Sequence, residues 1–167
     1  DEFYDIEESE IVDELERFSR AVVKVSDDLD ILVSRVSREM DDTLSDIFSA
    51  HIAMVQDPSL TAEVKKEINE ELVSAGSAVK IVFRRWEHRF QRMEMEVAKH
   101  KADDVRDLAR RLITSLAGVH SHLLEKLPEG SILIARRLLP SDTVYLARQN
   151  ASGAIIEYGG AGSHAAL

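Results

Sequence analysis

Apolar side chains recur at steps of four and three through the first part of the chain. Ile11, Leu15, Phe18, Val22, Val25, Leu29, Leu32 and Val36 form an unbroken heptad seam with charged residues between them, which predicts one long helix. The spacing shifts at Met40, Leu44, Ile47, Phe48, His51 and Val55, where Asp41-Asp42-Thr43 supplies either an acidic cap for a second helix or a kink in the first. Asp57-Pro58-Ser59 breaks that run. Thr61, followed by Val64, Ile68 and Leu72, predicts a short helix ended by Gly76. Val79, Val82, Trp86, Phe90, Met93 and Val97 form another seam, and Val105, Leu108, Leu112 and Leu116 the last before Gly118. Four or five antiparallel helices bury such stripes against one another, which predicts a helical bundle over residues 1–127.

Beyond Gly118 the pattern changes. Pro128-Glu129-Gly130 is a turn, and Ser131 to Ala135 is a short apolar, β-branched run that predicts a buried strand. A helix from Ser141 to Arg148 and a second strand from Ala154 to Ile156 lead to a glycine-rich end, Gly159 to Leu167. Residues 128–167 therefore read as the incomplete start of an α/β unit, because two or three strands make a poor independent sheet. The expected fold is mainly α, an antiparallel four- to five-helix bundle followed by this partial α/β subdomain. The stretch from residue 131 to 167 is expected to be marginally stable unless further strands complete it.

Charge sharpens this picture. Residues 1–60 hold 17 acidic and 5 basic side chains, whereas residues 61–127 hold 11 acidic and 13 basic. An acidic first third disfavours nucleic acid and anionic lipid and speeds encounter with a basic protein surface. Trp86 and Phe90 fall at core spacing, which argues further against an aromatic nucleic-acid platform. No apolar run approaches the ~20 residues of a membrane span, and the acidic start differs from the basic start of a signal peptide. The expected location is the cytoplasm. With no cysteine in the chain, disulfides, thiolate metal sites and a cysteine nucleophile are excluded. His120 and His122, two apart, lack a third ligand in the local sequence, so no metal site is expected.

One residue near the end has the setting for chemistry. His164 follows the glycine turn Gly159-Gly160 and Ser163, where backbone N–H groups approach an anion without Cβ clashes. An imidazole with an ordinary pKa near ~6.5 is largely neutral at cell pH, so a ring nitrogen keeps a lone pair for attack on phosphorus. Gly160 and Ser163 are the nearest N–H donors to the developing charge.

Gly159-Gly160, Ser163-His164 and Ala166 resemble the GG-x-x-SH-x-A signature of the phosphoenolpyruvate-utilising phosphotransferases. Pro140-Ser141-Asp142-Thr143 stands about twenty residues upstream, where that family places a PSDT turn. The run from Asp46 to Leu60, with Ile47-Phe48, Ala50-His51 and Asp57-Pro58-Ser59-Leu60, is similar to the "IF-x-AH…DP-x-L" run of bacterial Enzyme I. Asp103-Asp104-Val105-Arg106-Asp107-Leu108 with Gly118 resembles its second helical marker. The resemblance spans roughly residues 10 to 167.

It implies that His164 takes a phosphoryl group on Nε2 from phosphoenolpyruvate and passes it to a histidine of the phosphocarrier HPr. It also implies that Thr143 orients the histidine, and that Phe48, His51, Met54, Leu60 and Arg106 belong to the carrier-binding surface. The phosphoenolpyruvate and Mg²⁺ sites, and the homodimer contacts, are expected in a C-terminal part outside this sequence, leaving no cofactor bound by these residues. The chain departs from the family at Gly162, where many members have threonine, at Pro58 and Ser59, where some have acids, and in the basic, aromatic stretch from Ile81 to Phe90. A nitrogen-type enzyme with its own HPr-like carrier, another member such as pyruvate phosphate dikinase or phosphoenolpyruvate synthase, and a non-catalytic helical interaction module are the alternatives. Read without the family, His51 is a packed or solvated helix histidine, Arg106 pairs along its helix with Asp103, and Met54 and Leu60 are as readily core as interface.

Overall fold

The computed structural model describes residues 2–39, 42–119 and 122–159. The long seam is a single helix, α1 (Ile11–Glu39), entered through a 3-10 turn at Glu8–Glu10. It is followed by α2 (Asp42–Val55), α3 (Pro58–Glu71), α4 (Ala75–Gln91) and α5 (Glu96–Leu116). A 3-10 turn at Leu123–Lys126 leads to β1 (Ile132–Ala135), α6 (Pro140–Arg148) and β2 (Gly153–Ile156). α1 packs along α2, and α4 along α5. Phe18, Leu29, Phe48, Leu60, Ile68, Phe83, Leu108 and Leu112 meet in the shared core, each essentially without solvent exposure.

Local chemistry explains the boundaries. Asp57 accepts hydrogen bonds from the Ser59 and Leu60 N–H groups at 2.8 and 3.0 Å and so caps α3, with Pro58 in its first turn. The helix ends at Leu72, whose φ of 51° is left-handed, and not at Gly76 as the sequence predicted. Ser74 then caps α4 by accepting from the Ser77 N–H at 3.2 Å, which places Gly76 inside the first turn of α4. Its missing side chain serves close approach. A Cβ there would collide with the carbonyl oxygen of Glu2. The predicted seam from Val79 to Val97 is likewise cut, because α4 stops at Gln91 and Met93 lies half exposed between helices.

An N-terminal arm occupies the place that Gly76 leaves open. Ile6 N–H donates to Leu72 O at 2.8 Å and Ser74 N–H to Tyr4 O at 2.9 Å, so the arm runs antiparallel to the α3–α4 link. Glu14, buried in α1, accepts from the Ala75 N–H at 2.7 Å, from the Tyr4 hydroxyl at 3.0 Å and from Arg17 at 2.6 Å. Burial alone would raise the Glu14 carboxyl, but these donors hold it below its ordinary value. A carboxylate at the start of α4 also meets the positive end of that helix.

The α/β segment has one sheet among the described residues. β1 and β2 are parallel, with Ile132 opposite Gly153 and Ala135 opposite Ile156, and α6 is the crossover between them. No described helix is long and apolar enough to cross a membrane.

Candidate functional site

Parallel pairing brings the C-terminal ends of β1 and β2 to one edge of the sheet. β1 delivers the chain to the first turn of α6, which contains Thr143, and β2 delivers it to Tyr158 and Gly159. This is the edge at which parallel α/β units gather ligand-binding loops. The two exits are tied together, since Glu157 N–H donates to Ala135 O at 3.2 Å and Tyr158 N–H to Arg136 O at 2.8 Å. Thr143, half-buried, donates from Oγ1 to Pro140 O at 2.7 Å. Gly160, Ser163 and His164 lie outside the described residues, so the expected Thr143–His164 contact does too.

α6 is fastened to α5 by a polar cluster. Asp107, fully buried on α5, accepts from the Ser141 N–H at 2.9 Å and from its hydroxyl at 2.5 Å. Arg110 donates to Asp107 at 2.9 Å and to Ser141 Oγ at 2.6 Å, and its other nitrogen lies 2.9 Å from Asp142. Asp142 in turn accepts from the Leu139 N–H at 2.8 Å, closing the first turn of α6. His122 stacks on Tyr145 with ring centroids 4.0 Å apart, accepts from the Leu124 N–H through Nδ1, and sets Nε2 3.3 Å from Asp142. With Nδ1 an acceptor, the ring proton belongs on Nε2, facing the carboxylate. Burial alone would raise Asp142, yet the His122 hydrogen bond, the Arg110 charge and the Leu139 N–H keep it below the ordinary carboxylate value. The turn Pro140 to Thr143 is thus positioned by two charges of α5, Asp107 and Arg110. His122 is thereby committed to this cluster, and among the described residues there is no group of three metal-binding side chains.

A second network faces the strand exits. Arg106 pairs with Glu87 of α4 and donates to Asp103 at 3.2 Å. Asp103 also accepts from Arg137 at 2.7 Å, and the Arg137 guanidinium carbon lies 5.8 Å from the centre of the Tyr158 ring. The chain leaving β2 is therefore linked to Arg106 through Arg137 and Asp103.

The other four residues expected to meet a partner divide by exposure. Phe48, His51 and Leu60 are buried, and Met54 is half-buried against the core. In this arrangement Phe48 and His51 have no accessible surface and Leu60 is 2% exposed, so they lie beneath the face a partner would touch. His51 Nε2 lies 3.0 Å from Asp104 of α5, and its ring meets Phe48 edge-on at 5.5 Å. Its Nδ1 has no hydrogen-bond partner. These side chains lock α2 to α5 beneath the surface, and Asp57 and Pro58 of the same motif build the start of α3. His122 has a role the sequence did not indicate, as the link between Asp142 and Tyr145. Asp107 and Arg137 were also missed. A signal for Asp107 existed, since an aspartate sits inside the apolar seam of Val105, Leu108 and Leu112 and calls for a buried partner.

Residues 2–101 match the family model described as PEP-utilising enzyme, N-terminal, and residues 127–167 match the one described as PEP-utilising enzyme, mobile domain. The chain belongs to the PEP-utilising enzymes. It is 32% identical over 159 residues to the phosphoenolpyruvate-protein phosphotransferase of Priestia megaterium, covering 95% of this chain and 28% of that protein. It is 34% identical over 151 residues to the phosphoenolpyruvate-protein phosphotransferase of Haloferax volcanii, covering 90% of this chain and 26% of the relative. The chain thus spans little more than a quarter of the length of these relatives. Among solved structures, the solution structure of the Enzyme I protein nEIt is similar with a TM-score of 0.79 at 32% identity, over 98% of this chain and 66% of that one. The N-terminal domain of nitrogen Enzyme 1 shares the fold, with a TM-score of 0.72 at 24% identity and the same coverage. For the PEP-utilising enzymes, the boundary between the two matched segments falls in the stretch that carries the end of α5 and the turn at Leu123–Lys126.

Proposed function

We propose that this chain is the phosphotransfer portion of a phosphoenolpyruvate-protein phosphotransferase, with a helical carrier-docking part and a phosphohistidine loop. The observation that carries this reading is the convergence of the Thr143 turn and the chain leaving β2 at Gly159 on one sheet edge, in a chain with both family segments. His164 attacks the phosphorus of phosphoenolpyruvate through Nε2; the N–P bond forms as the P–O bond to the enol breaks, and pyruvate leaves as its enolate. The same phosphoryl group then passes in line to a histidine of an HPr-type carrier, breaking the N–P bond. Gly160 and Ser163 supply N–H donors to the equatorial oxygens. Thr143 fixes the ring. We place the phosphoenolpyruvate and Mg²⁺ sites in sequence beyond these residues.

The carrier docks on the outer surface of α2 and α3, above the buried Phe48, His51 and Leu60, with Met54 and Arg106 at its margin. The acidic first third of the chain favours a basic partner. A nitrogen-type carrier is the second reading, favoured by the neutral Pro58 and Ser59 at positions where an acid would meet HPr.

The first test is a titration of isotope-labelled chain with HPr at low and physiological salt, followed by amide shifts. Salt-sensitive shifts centred on residues 52–60 and Arg106 are expected. No shifts at either salt, with HPr or a nitrogen-type carrier, overturn the docking role. Phosphorylated HPr incubated with the chain tests the reverse transfer, and the His164→Ala variant is expected to lose all phosphate acceptance.

A further inference from the structure

A second feature of the molecule is independent of that reading. A cleft of about 690 Å³ lies between α1, α5 and the segment from His122 to α6. It includes neither Thr143 nor Arg106. Although the chain carries a net charge of −10, the cleft walls present Lys24, Arg35, Arg110, Arg111, Lys126 and Arg148 against a single carboxylate, Asp28. Lys24 pairs with that carboxylate at 3.2 Å, and Arg110 is taken up by Asp107 and Asp142. Among the described residues Arg35, Lys126 and Arg148 form no ion pair.

Arg111 forms part of the inner wall of the cleft. Its guanidinium carbon lies 5.8 Å from the centre of the Phe48 ring, and its Nε is 4.0 Å from Asp107, which is already engaged by Ser141 and Arg110. Two of its buried nitrogens, Nε and Nη2, have no acceptor. Asp107 is thus shared between two guanidinium groups and the Ser141 hydroxyl, and the exposed part of Arg111 lines the cleft. Beside the cations stand Ile31, Leu32 and the Tyr145 ring, an apolar wall. The volume of this half-open cleft falls in the range of small-molecule sites.

We infer that this cleft binds a small organic phosphate, its phosphate held by the unpaired Arg35, Lys126 and Arg148 with the exposed part of Arg111, and its apolar or flat body laid on Ile31 and Leu32 beside Tyr145. Arginine matches phosphate by bidentate, charge-assisted hydrogen bonds, and multiple uncompensated cations favour a dianion over a carboxylate.

The test is calorimetry and amide-shift mapping of the intact chain with adenosine monophosphate, inorganic phosphate and uncharged adenosine as probes. Adenosine monophosphate is expected to bind most tightly, with shifts confined to residues 31–35, 110–115, 123–126 and 145–148 and a salt-sensitive affinity. The Lys126→Ala/Arg148→Ala double variant, altered only at exposed positions, is expected to weaken it about tenfold, and Arg111→Met by at least as much. Arg84→Ala, an exposed cation on α4, should leave binding unchanged. Adenosine binding as tightly as the monophosphate overturns the anion site; inorganic phosphate binding as tightly overturns the apolar wall. No confined shifts at millimolar probe, or equal loss in Arg84→Ala, overturn the proposal as a whole. None of these readouts depends on His164 or on a carrier.

Discussion

The helical bundle and the β-α-β segment solve the burial problem differently. In the bundle, five helices close on a continuous core, with Phe18, Phe48 and Phe83 shielded almost completely. In the β-α-β segment, Ile132, Ile134 and Ile155 are each more than half exposed, and Leu139 and Val144 are among the few buried apolar side chains. A helix satisfies its own backbone and needs one apolar stripe covered, whereas two strands leave edges and faces for other elements to cover. What holds α6 in place is a set of charged hydrogen bonds to α5, and those set direction more than stability. The segment that carries the chemistry is therefore oriented by the bundle rather than by a core of its own.

The sharpest way to break this contrast is to remove one large side chain from each region. Phe48→Ala should cost about 3–5 kcal/mol of unfolding free energy, while Ile134→Ala should cost within about 0.5 kcal/mol. Chemical denaturation checks both, and equal losses would show that the tail shares the bundle's core. Next in size, Asp107→Ala strands Ser141 and Arg110 and should cost about 3 kcal/mol. Amide exchange should then rise in α6 and the strands, while α1 and α2 keep their protection; uniform loss would show that the cluster is structural for the bundle. Gly76→Ala should cost about 1–3 kcal/mol through overpacking against Glu2, and its exchange signature should appear in residues 2–7.

Acid unfolding sharpens the comparison by a smaller amount. Glu14 in the bundle and Asp142 in the tail both have carboxyls held below their ordinary values. For such groups the stabilisation is complete above the ordinary carboxylate range near ~4 and is lost as pH falls through the lower folded values. Denaturation midpoints should therefore be flat from neutral pH to about 5 and fall below 4, with the fall reduced in Glu14→Gln and, for α6 exchange, in Asp142→Asn.

Periodicity alone was enough for α1, since an uninterrupted seam from Ile11 to Val36 has one economical burial. It was also enough for α2, β1, α6 and β2 to within a residue or a turn, and for the end of α5 but not its start at Glu96. It failed at Gly76, where glycine reads as a helix stop in one dimension but serves the close passage of an arm from 70 residues earlier. It failed again between Gln91 and Glu96, where Met93 continued the apolar rhythm without a surface to pack on. Motif residues carried less local information than their pattern suggested. Phe48, His51, Asp57 and Leu60 were legible as a set, yet their exposure depends on α5 lying over α2.

What the chain determines by itself is the order of elements, the asymmetry of charge and the presence of a histidine in a glycine-rich setting, because these follow from spacing and composition. Tertiary structure decided which charges meet. Asp107 finding Ser141, Arg137 reaching Asp103, and Arg111 remaining without an acceptor all rest on contacts between side chains distant in sequence or on the lack of one. Hydrogen bonding and Coulombic pairing act over a few ångströms in space, and separation along the chain does not encode them.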